Sequence, residues 1–125
     1  TTIRNNINQQ EGSESLVWQY QRIAEIQKNN LNDYTAAIDT YQTMISMASN
    51  SQQILEARRN KIDIYSNYLN DYSAVVREYE FIINENPNTE TSANAQYAIG
   101  EIYRYNLNDT QKAINAYESV IKLIE

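Results

Sequence analysis

The chain contains no cysteine and no histidine. Disulfides and thiolate chemistry are therefore excluded. Without imidazole or thiolate, most nucleophile–base pairs and typical zinc sites cannot be built. Gly and Pro are scarce, two and one residues in 125, which leaves little turn chemistry for an all-β fold. The two glycines are isolated, so no glycine-rich phosphate loop exists. Positive charge is also short. Ten Lys and Arg face 16 Asp and Glu, for a net charge of −6 and a pI of about 4.6. Nucleic acids and anionic membranes recruit Lys and Arg, and the densest basic group here is Arg58-Arg59 with Lys61 nearby. Neither is an expected partner, and the acidic balance mainly serves solubility. No apolar run approaches the roughly 18 residues of a membrane span, so direct membrane insertion is not expected. The chain begins at Thr1 and stops inside a helical pattern at Lys122-Leu123-Ile124-Glu125. A processed or trimmed piece of a longer protein is the expectation.

What is present is repetition. Leu-Asn-Asp occurs at Leu31-Asn32-Asp33, Leu69-Asn70-Asp71 and Leu107-Asn108-Asp109, spaced 38 residues apart both times (31 to 69 to 107). A fixed period of this size marks a repeat array. After each Asp, one apolar stripe recurs at helical spacing: Ala37, Tyr41, Met44, Ile45; Val75, Tyr79, Ile82, Ile83; and Ala113, Tyr117, Val120, Ile121. Each Asp is placed to cap the helix that follows by accepting from a first-turn N–H. A less regular helix precedes each turn. In it Ala24 and Gly100 occupy equivalent places and permit close helix approach, with Ile62 between them in register.

The pattern predicts six helices, over 14–29 and 34–48, 51–67 and 72–85, 90–105 and 110–124. A polar lead-in, or the end of a preceding helix, occupies residues 1–13. Pro87, the single proline, stops the second pair. Ser51 and Thr89 are expected caps. The fold class is all-α: a right-handed α-solenoid of three helix-turn-helix repeats, about 14–50, 51–88 and 89–125. Stacking buries apolar faces that one pair cannot bury alone. The last helix has no following repeat, so Ile121 and Ile124 are expected near an open end.

No residue stands out as catalytic, cofactor-binding or metal-ligating. Asp33, Asp71 and Asp109 lie one repeat apart and belong to caps. Glu14, Glu78, Glu80, Glu85 and Glu90 make no ligand spacing. An enzyme is not expected. Asn108-Asp109-Thr110 satisfies the N-glycosylation pattern, which arises often by chance.

Ala95-Gln96-Tyr97-Ala98-Ile99-Gly100-Glu101-Ile102-Tyr103, then Leu107-Asn108-Asp109 and Ala113-Ile114-Asn115-Ala116-Tyr117, resembles a tetratricopeptide repeat. Gly100, Tyr103, Ala113 and Tyr117 match the family pattern of a small residue and Tyr, then Ala and an aromatic. Pro87 supplies its exit proline in the second repeat. The resemblance covers 14–125, weakening toward the N-terminus, with 38 residues per repeat against the family's 34. The long junction Asn-Pro-Asn-Thr-Glu-Thr-Ser-Ala-Asn-Ala is similar to bacterial cell-envelope members, which favours periplasm or envelope over cytoplasm.

The resemblance implies a concave groove lined by the first helices and a protein or peptide partner. Trp18, Gln21, Glu25 and Lys28 come from repeat one. Repeat two gives Glu56, Arg59, Asp63 and Ser66. Repeat three gives Asn94, Tyr97, Glu101 and Arg104, with Tyr105 beside them. The acidic row Glu25, Asp63, Glu101, with Trp18 and Tyr97 nearby, suits a basic peptide with an apolar anchor. Two competing readings are that Trp18 covers the open N-terminal end and that exposed acidic residues are ordinary. Some family members clamp a C-terminal carboxylate with Lys and Asn. Acidic residues replace the central Asn here, and like charges disfavour that partner class. The alternative function is structural self-assembly, with uncapped ends stacking into homo-oligomers or filaments.

Overall fold

The computed structural model describes residues 9–124. The expectations for residues 1–8 of the lead-in and for Glu125 lie outside them. Six helices follow in order: α1 Gln9–Asn29, α2 Tyr34–Met47, α3 Ser51–Asn67, α4 Tyr72–Glu85, α5 Glu90–Tyr105 and α6 Thr110–Ile124. No strand occurs among the described residues. The molecule is an all-α helical-repeat fold of three helix-turn-helix pairs. No helix among the described residues is long and apolar enough to cross a membrane.

Two boundaries and one cap differ from expectation; the second helix ends at Met47, one residue before the expected 48, with Ala48 as its C-cap. Helix α1 starts at Gln9 rather than near residue 14, so residues 9–13 are part of that helix. Gln, Glu and Ser are acceptable helix formers without any apolar period to announce them. The third helix is capped one residue earlier than expected. The Asn50 side chain accepts from the Gln53 N–H at 2.9 Å, leaving Ser51 as the first helical residue. Thr89 does cap α5, in a reciprocal box with Ser92.

The recurring tripeptide explains the turns. Asn32, Asn70 and Asn108 all have positive φ, 52°, 52° and 55°. This left-handed region is strained for most side chains and tolerated by Asn. Each Asp then sends its N–H back to the preceding helix, onto the carbonyls of Gln27, Tyr65 and Tyr103 at 2.7–2.8 Å. Its carboxylate accepts from the N–H three residues on, at Ala36, Ala74 and Lys112.

The chain divides into two compact units, one up to Ile64 and one from Tyr65 onward, with the division inside α3. In the first unit, α1 packs on α2, and Ala24, Ala37, Tyr41 and Met44 are buried. In the second, α4 packs on α5 and α5 on α6. Its core joins Val76, Ile99 and Ala116, with Tyr79, Ile83, Ile102, Tyr103 and Leu107 packed against them. Burial of each larger aliphatic side chain among them, such as Val76 or Ile99, contributes roughly 1.5–3 kcal/mol before entropy is charged. The small residue at 100 serves close approach: a Cβ there would sit 2.6 Å from a Tyr117 ring carbon.

Candidate functional site

In the first unit, the expected binding residues of repeats one and two do meet. Lys28 Nζ lies 2.8 Å from Asp63 Oδ2, in a half-exposed ion pair that joins α1 to α3 across 35 residues of sequence. One helical turn earlier, Gln21 Nε2 donates to Glu25 Oε1 at 3.0 Å. Beneath them lies the buried Tyr41. Burial pushes its phenol pKa up. Lys28 opposes that shift, while Glu25 and Asp63 add to it. Trp18, Glu56 and Arg59 are exposed, and Ser66 is half-buried.

The second unit carries the more developed surface. Tyr97 projects from α5, 53% exposed. Its ring leans on that of Tyr117 from α6, centroids 5.9 Å apart and planes tilted by 48°. The Tyr117 hydroxyl donates to Glu101 Oε1 at 2.5 Å. One carboxylate thus fixes the aromatic pair. The Glu101 charge raises the Tyr97 pKa, and the hydrogen bond to Glu101 raises that of Tyr117. Arg104 lies over the exposed Tyr105 ring, 4.8 Å from its centroid.

Beside Tyr97 a cleft of about 440 Å³ opens between the start of α5 and the end of α6. Asn94, Ala93, Val120, Leu123 and Ile124 help line it, with Glu90 at its edge. A smaller hollow of about 250 Å³ lies elsewhere in the unit, with Glu80, Gln96 and Lys112 in its lining. It offers mixed charge and no exposed aromatic ring. The cleft beside Tyr97 is the better receptor for an apolar side chain, because Tyr97, Val120, Leu123 and Ile124 line it together, with Asn88, Thr89, Glu90 and Asn94 as polar neighbours.

Asn94, Tyr97, Glu101 and Arg104 were expected on this surface from the sequence; Tyr117, Val120, Leu123 and Ile124 were not expected as their neighbours. The signal existed: Tyr117 repeats Tyr41 at two periods' distance, and a second-helix residue at that place reaches the first helix. The row Glu25, Asp63, Glu101 also differs in character from a row of free carboxylates. Each member has a partner within its unit: Gln21, Lys28 and Tyr117 respectively. Among the described residues no group of three or more His, Cys, Asp or Glu could hold a metal ion.

A family model described as Tetratricopeptide repeat matches residues 94–123, most of α5 and α6. It spans Tyr97, Gly100, Glu101 and Tyr117, the residues that build the aromatic site. No curated protein matches the chain. Tetratricopeptide repeats generally mediate protein–protein interaction.

Proposed function

We propose that this chain is a protein-interaction module that holds a peptide segment of its partner on the α5 face of the second unit, anchored in the cleft beside Tyr97. One observation carries the reading. Tyr97 stands more than half exposed at a cleft with one aliphatic wall, Val120, Leu123 and Ile124, yet Tyr117 and Glu101 hold its surroundings fixed. A rigid aromatic at such a place loses little entropy when a partner covers it, and such residues commonly dominate interface energy.

The partner is an apolar side chain flanked by Lys or Arg. Glu90 at the cleft edge, Glu101 beside Tyr97 and the net charge of −6 support the basic component. Such a field acts mainly on encounter rate and specificity. The envelope setting rests on the junction's resemblance alone.

Selection from a displayed random-peptide library tests the reading. Recovered peptides should share an apolar residue next to Lys or Arg. Their affinity should fall roughly 30-fold on Tyr97→Ala, the loss typical of an aromatic anchor. Peptides that bind Tyr97→Ala as tightly as the parent would discard the cleft as the anchor.

A further inference from the structure

We propose that α6 of one copy docks on α1 of a second copy, in the register that α4 and α5 already use within the chain. The residues concerned occupy equivalent positions, 38 and 76 residues apart. Val76 and Ile83 of α4 share the core cluster with Ile99, Ile102 and Leu107 from α5 and the turn after it. There Val76 and Ile99 are each only 4% exposed.

One period on from Val76 and Ile83 stand Ile114 and Ile121 of α6, 43% and 52% exposed. Two periods back from Ile99, Ile102 and Leu107 stand Ile23, Ile26 and Leu31, 44%, 52% and 66% exposed. Both halves of a buried interface therefore recur uncovered, one on α6 and the other on α1. Every position has kept an aliphatic residue, and Val76 has become the larger Ile114. Exposed aliphatic residues in matching register fit a partner helix.

The two patches differ, so the contact is heterologous, head of one copy to tail of the next. It uses neither Tyr97 nor its cleft and stands independently of the peptide-binding reading. A single helix-on-helix contact is small, so association is weak and concentration-dependent.

Sedimentation velocity on the 125-residue chain, up to about 1 mM, is the test. The parent should grow in mass with concentration. Ile121→Glu and Ile23→Glu should each raise the dissociation constant roughly 10- to 100-fold, because each puts a carboxylate into an apolar contact. Both sites are exposed in the single chain, so circular dichroism should report unchanged helix. An equimolar mixture of the two variants should restore a dimer and nothing larger, since one sound α6 then meets one sound α1. A parent that stays monomeric overturns the proposal, as it would if these faces serve another repeat or another protein. Association that survives Ile23→Glu but not Ile121→Glu also overturns it, by showing α6 pairing with α6.

Discussion

Gly100 lacks a Cβ where the Tyr117 ring already stands, and that ring is tied to Glu101 and leans on Tyr97. Gly100→Ala gains roughly 0.5–1 kcal/mol of helix propensity against an overpacking cost of about 1–3 kcal/mol. The ring is held on two sides, so the clash wins. Urea unfolding should show a net loss of about 1 kcal/mol, and an unchanged midpoint would contradict the close approach. The same site fixes the alkaline behaviour. Tyr97 and Tyr117 ionise above the ordinary 10.0, through the Glu101 charge and the bond to Glu101 respectively. Their stabilising effect is therefore complete below pH 10 and is lost as pH rises through the folded values, because the unfolded chain releases its phenol protons first. Glu101→Gln should move both midpoints back toward 10, read by tyrosinate absorbance. Midpoints that stay put would contradict the coupling. The need for a small residue at 24 and 100 was legible from the repeat register. The bonds Lys28–Asp63 and Glu101–Tyr117 were not, because they join residues distant in sequence and depend on where helices cross.

At the scale of elements, the three turns are one device used three times: a left-handed Asn, then a capping Asp. Asp71→Ala removes the acceptor for the Ala74 N–H and should cost about 1 kcal/mol. Asn70→Val forces a branched side chain into the left-handed region, at about 1–2 kcal/mol. Asn70→Gly should be close to neutral, since Gly adopts that region without strain. A urea series over the three variants checks the order, and equal losses for Val and Gly at position 70 would contradict it. The Asp caps and second helices were readable because their signals are local: a capping residue and a stripe of period 3.6. The start of α1 and the cap at Asn50 were not. Polar stretches carry no period, and Asn50 and Ser51 are both good caps side by side.

Across the whole molecule, one 38-residue unit has been written three times and then diverged in what it exposes. The caps and turn geometry persist. The aromatic face and its cleft belong to the third copy, where the family match also lies. Net charge is the global property: at a pI of about 4.6 self-repulsion vanishes. Turbidity should therefore peak near that pH and fall on either side, and a flat profile would show that charge does not govern solubility. The peptide-binding face is tested most directly by mapping amide chemical shifts as a library-selected peptide is titrated in. The largest shifts are expected at Asn94, Tyr97 and Glu101 on α5 and over residues 120–124 of α6. Saturable binding that leaves those signals fixed while others move would contradict peptide binding at this face.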